Sequence, residues 1–137
     1  MYSGSKILIC LVIIFSLCGC NGFVREELVV GRYYLVAVDV PQDLDLSYKL
    51  EDGSYIGVVR ETVFAVGFND KYIIVKQHPF NNRAITNYYI VPIYKENILS
   101  PEKGVSRALT LEQFNEKRKE LRIPDEVAFT KEIEELK

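Results

Sequence analysis

The sequence has 137 residues, with 17 Lys and Arg against 19 Asp and Glu and a net charge of −2. That length suits one ordinary domain, and that balance offers no electrostatic attraction for nucleic acid or an anionic lipid surface. Aromatic residues make up 12% of the chain and no long polar tract interrupts it, which excludes disorder away from the ends.

Met1 to Lys6 carries one positive charge, at Lys6, and Ile7 to Gly19 follows without any charge before the chain turns polar at Asn21. This is the outline of a cleaved signal peptide over residues 1–19. The apolar run spans roughly 20 Å as a helix, short of the ~30 Å hydrocarbon core, so a retained span is not expected. Its end, Leu17-Cys18-Gly19-Cys20, resembles the lipobox of bacterial lipoproteins, although Cys18 stands where Ser or Ala is more usual. The resemblance implies cleavage between Gly19 and Cys20, a diacylglyceryl (palmitate-type) lipid on the Cys20 thiol, and anchoring at a membrane without crossing it. Asn21 in place of Asp favours the outer membrane in a Gram-negative cell. Cys10 and Cys18 would leave with the signal, so the domain would keep no free thiol and no disulfide. Residues 20–30 read as a lipid-anchored tether, with Leu28 to Val30 already entering the fold, and residues 31–137 as a single domain.

Arg32 to Val40 is rich in β-branched and aromatic residues and stops at Pro41, the pattern of a strand. Pro41 to Asp45 forms a turn, Leu46 to Leu50 a second strand, and Glu51-Asp52-Gly53-Ser54 a turn before a third strand at Tyr55 to Arg60. Thr62 to Phe68 and Lys71 to Gln77 flank Asn69-Asp70 as a hairpin. After a polar connection from His78 to Thr86, Asn87 to Tyr94 is another strand, with Pro92 placing it at an edge or a bulge. Several strands are apolar in both phases, as in Tyr33 to Val38 and Tyr72 to Val75. Both faces of the middle strands should therefore be covered, one by a helix and the other by a curled or second sheet layer or by a partner.

Thr110-Leu111-Glu112-Gln113 has the form of a capping box, Leu111, Phe114 and Leu121 make an apolar stripe, and Pro124 limits the helix. The tail offers Phe129, Ile133 and Leu136 at helical spacing, which predicts a second helix. The expected fold is α+β, an antiparallel sheet of five or six strands with a C-terminal helix packed on it.

The lone histidine, His78, stands at a strand end before Pro79 and reads as a surface residue with no identifiable partner for acid–base work. One histidine and no usable thiol exclude a structural zinc site. Asp39, Asp43, Asp45, Glu51 and Asp52 match no calcium loop and read as solvated turn acids. No glycine-rich phosphate loop occurs, so no cofactor is implied. Nine tyrosines without a tryptophan suit strand and core packing, with Tyr48, Tyr55 and Tyr88 as the candidate ligand-facing aromatics. The alternating charges from Glu112 to Arg122 read as a solvated helix face.

The segments Val63 to Pro79 and Asn87 to Ile93, followed by Leu109 to Pro124, resemble a family of small bacterial lipoproteins carrying a domain of unknown function. That family has no assigned activity, and the resemblance transfers no functional residues. The expectation is a non-enzymatic binding module of the bacterial cell envelope, tethered by Cys20, with an unidentified envelope protein or glycan as partner. The alternatives are a small inhibitor or immunity-type protein against an envelope enzyme or toxin, and a carboxylate-dependent hydrolase.

Overall fold

The computed structural model describes residues 22–96 and 98–137, so the lipobox and Cys20 lie outside the described residues. Among the described residues, eight strands form two antiparallel sheets, β1 (Arg25–Val30), β2 (Tyr33–Ala37), β3 (Asp45–Lys49) and β4 (Tyr55–Val59) in one, and β7 (Asn87–Pro92), β6 (Tyr72–Gln77), β5 (Val63–Phe68) and β8 (Lys131–Glu132) in the other. A single sheet of five or six strands was expected, and the difference arises at Arg60 to Thr62. There β4 ends and β5, instead of pairing with it, opens the second sheet, with Val63 N–H donating to the Leu44 carbonyl at 2.8 Å.

Alternation along the strands explains the layering. Tyr33, Leu35 and Ala37 of β2 and Leu46 and Tyr48 of β3 point inward from the first sheet and meet Ala65, Ile73, Val75 and Val91 of the second in one buried core. The opposite phase of the second sheet, Ile74 and Ile90, packs with Leu109, Phe114 and Ile123 beneath α1 (Leu111–Glu120). The molecule is thus sheet on sheet on helix, and whereas β2 lies in the outer sheet with one face partly open, β6, read the same way as apolar in both phases, lies in the middle layer as its pattern predicted. Each face of such a strand gains by burial, about 1.5–3 kcal/mol for each large side chain fully enclosed.

The helix keeps both halves of its capping box: Gln113 N–H donates to Thr110 Oγ1 at 3.2 Å, and Thr110 N–H donates to Gln113 Oε1 at 3.0 Å. Its C-terminus closes with Ile123 N–H on the Arg118 carbonyl at 2.9 Å and Arg122 N–H on the Lys119 carbonyl at 3.1 Å, with Arg122 in the left-handed region at φ 57°. The predicted second helix is absent from the tail. Instead β8 pairs with Ala65 and Val66 of β5, and a short 3-10 turn (Glu134–Leu136) follows. Ile133 and Leu136 drop into the core between the sheets, so the tail gains more by closing the β5 edge than a short terminal helix would. Gly67 permits this, because a methyl there would overlap the Ala128 carbonyl as the tail crosses β5.

Strand β1 occupies much of the stretch read as tether. Its acidic start, Arg25-Glu26-Glu27, hides an edge strand that alternates half-buried with exposed, and Gly31 at φ 58° turns the chain into β2. Arg25 and Glu27 fasten β1 to the tail, Arg25 to Glu135 at 3.7 Å and Glu27 to Lys131. As expected from Pro92, β7 is an edge strand of its sheet.

Candidate functional site

The three tyrosines singled out from the sequence do not converge. Tyr48 is fully buried, its ring 5.1 Å from that of Tyr33 and its hydroxyl donating to the Glu96 carbonyl at 2.9 Å, so it faces the core and no ligand. Tyr88 lies on the other side of the molecule and stacks on Phe114 at 5.0 Å beneath the helix. Tyr55 stands on the outer face of the first sheet, one position along from Ile56, which pairs with Tyr48. A period of two sends neighbours to opposite faces, which is why Tyr48 and Tyr55 could not share a surface.

Around Tyr55 the register builds a patch that sequence reasoning missed. Tyr34 and Phe23 approach its ring edge-on, at 5.7 and 5.8 Å. Lys49, the cross-strand partner of Tyr55, holds its ammonium 5.6 Å from that ring and 5.2 Å from the Tyr34 ring. Glu26 accepts the Tyr55 hydroxyl at 2.6 Å and pairs with Lys49 at 3.7 Å. Burial, then this bond to Glu26 and its charge, raise the Tyr55 phenol above its ordinary value. Each charge in the patch has a partner, and the aromatic faces form a rigid, amphipathic surface suited to recognition. The second phase of β2, Tyr34 and Val36, was the signal available in the sequence.

His78 is buried at 4% exposure, in place of the expected surface position. Its ring stacks on Phe64 at 4.0 Å, and Nδ1 lies 2.8 Å from the Ile85 carbonyl. A carbonyl only accepts, so Nδ1 carries the proton and His78 serves to hold the loop after β6. That loop contains Phe80 at φ 50° and Asn81 at φ 59°.

Among the acids read as solvated, Asp45 is half-buried on the outer face of the first sheet. Burial pushes its carboxyl up to about 6; the Ser47 hydroxyl, donating at 2.7 Å, pulls the other way, and the charges of Glu61 and Asp43 add to the rise. Among the described residues no group of three or more His, Cys, Asp or Glu is placed to hold a metal ion, and no helix is long and apolar enough to cross a membrane. A shallow cavity of about 360 Å³ lies between β7 and the helix, lined by Tyr72, Ile90, Val105, Ser106, Lys117 and Leu121.

Comparison with curated proteins and with solved structures gives no match. The model of one protein family matches residues 30–134, from the end of β1 to the last turn. The chain therefore belongs to the family described as protein of unknown function (DUF3997).

Proposed function

We propose that this protein is a lipid-anchored component of the bacterial cell envelope whose domain acts as a non-enzymatic interaction module close to the membrane. The observation that carries the reading is the start of β1 at Arg25, five residues after Cys20. Five residues extend to at most about 17 Å, so a domain anchored through Cys20 works within its own diameter of the lipid. The lipobox resemblance at Leu17 to Cys20 supplies the anchor, and the aromatic patch around Tyr55 supplies an amphipathic contact surface that needs no reactive group. His78 and Asp45, the two groups on which acid–base chemistry would most naturally rest, are engaged in packing and in a bond to Ser47.

In-cell crosslinking tests the reading. The wild-type protein should capture an envelope protein or glycan that the Cys20→Ala protein, left unlipidated, does not. Capture of the same soluble set by both would count against it.

A further inference from the structure

Among the described residues, Phe23, Val24, Leu28, Val38 and Val40 are each between 44% and 54% exposed. They come from only two segments, the entry to β1 and the exit from β2, which the sheet places together. Val24 N–H donates to the Ala37 carbonyl at 2.9 Å, setting Val24 against the end of β2 where Val38 and Val40 follow. Leu28 pairs with Tyr34, so it shares the outer face with Tyr34 and, through the ring contact, with Tyr55 and Phe23. Other large exposed side chains, such as Phe68, Phe80 and Leu111, stand on separate elements.

We propose that this outer face of the first sheet lies on the headgroup boundary of the same bilayer that holds the Cys20 lipid, docking the domain in a fixed orientation. The proposal rests on the lipid-anchored reading. Three observations choose a bilayer as the occupant. Cys20 is three residues from Phe23, so the anchor and the face are joined at one end of the sheet. The polar members of the face are Tyr34, Tyr55 and Lys49, residue types that bridge acyl chains and water with an apolar body and a polar tip. Of the two carboxylates on this face, Glu26 is already paired with Lys49 and with the Tyr55 hydroxyl, and Asp45 is half-buried and bonded to the Ser47 hydroxyl. Docked in this way, the valines and Phe23 enter the boundary shallowly, Asp39 stays at the hydrated headgroup level, and the helix layer points away from the membrane.

The sequence contains no tryptophan, so a single substitution creates a unique emitter. The full-length lipidated protein, carrying either Val38→Trp or, on the helix layer, Leu111→Trp, is reconstituted in phosphatidylethanolamine–phosphatidylglycerol vesicles containing lipids brominated high on the acyl chain. Val38 is far from Cys20 in sequence, so its depth reports docking and not the leash. Because interfacial groups sink ~5–10 Å, bromine should quench the Val38→Trp emission by about half and leave that of Leu111→Trp within about a tenth of its value. Adding Val24→Asp and Leu28→Asp to the Val38→Trp protein should restore its emission while the protein still floats with the vesicles. Equal quenching at both positions, or none at either, in a protein that floats would overturn the docking proposal and leave the anchor standing. A protein that does not float would overturn both. Should Val38→Trp not fold, Val40→Trp reports the same exposed segment at the exit from β2.

Discussion

Tyr33 and Tyr48 are enclosed completely, yet each phenol finds a backbone partner beyond β7. Tyr33 donates to the Pro92 carbonyl at 2.9 Å and accepts from Tyr94 N–H at 3.2 Å, so one hydroxyl satisfies two partly buried backbone groups and ties the first sheet to the edge of the second. Tyr33→Phe should cost about 1–3 kcal/mol in urea unfolding, because both groups are left bare. Tyr34→Phe, on the outer face, should stay within about 0.5 kcal/mol. Asp45 acts in the opposite sense. Its ordinary value is 3.8 and its folded value about 6, so between these the folded state holds the extra proton and stability falls as pH rises. Two units would correspond to about 3 kcal/mol, and solvent screening at a partly open site reduces this to about 1 kcal/mol. Asp45→Asn should therefore exceed wild type by about that amount at pH 8 and match it near pH 4, in denaturant titrations at both values. A parallel pair of profiles would show that burial of the charge carries no cost.

At the scale of elements, the helix and the tail make contrasting use of backbone freedom. Arg122 takes the left-handed cap that glycine fills at least cost, so Arg122→Gly should raise stability by about 0.5–1 kcal/mol with no change in helix content by circular dichroism. Gly67→Ala should lower stability by about 2 kcal/mol or more, since the tail must lift from β5 to admit the methyl. If it is neutral in thermal unfolding, the tail does not cross β5 as closely as described. The elements readable in advance were those with strong local chemistry. The capping box of α1 lies at Thr110 and Gln113, and the β5–β6 turn is held by Asn69 Oδ1, which accepts from Lys71 and Tyr72 N–H at 2.9 and 2.8 Å. Those misread were decided by tertiary demand. The tail carries helical spacing at Phe129, Ile133 and Leu136 but is recruited to an open strand edge. Strand β1 is masked by Arg25-Glu26-Glu27, whose charges are spent on ion pairs at the sheet margin.

For the whole molecule, the two apolar phases of β6 announced that both of its faces would be covered, whereas the outer face of β2, marked for cover by the same pattern in Tyr33 to Val38, stays partly open, with Tyr34 half-buried and Leu28 beside it exposed. What they could not announce was the division into two sheets, because the Arg60 to Thr62 link resembles a hairpin connection and only packing decides which strand the chain joins next. The aromatic patch stayed hidden for a related reason: Phe23, Glu26, Tyr34, Lys49 and Tyr55 come from four different segments and meet only through register. The architecture places that patch and the entry to β1 on one side and the helix on the other, which under the proposed anchoring would be the membrane side and the free side. The most direct measurement is the mass of the N-terminal peptide of the protein purified from bacterial membranes. The lipid-anchored reading predicts a chain beginning at Cys20 with a diacylglyceryl group on its thiol. A chain beginning at Met1, or an unmodified Cys20, would contradict it.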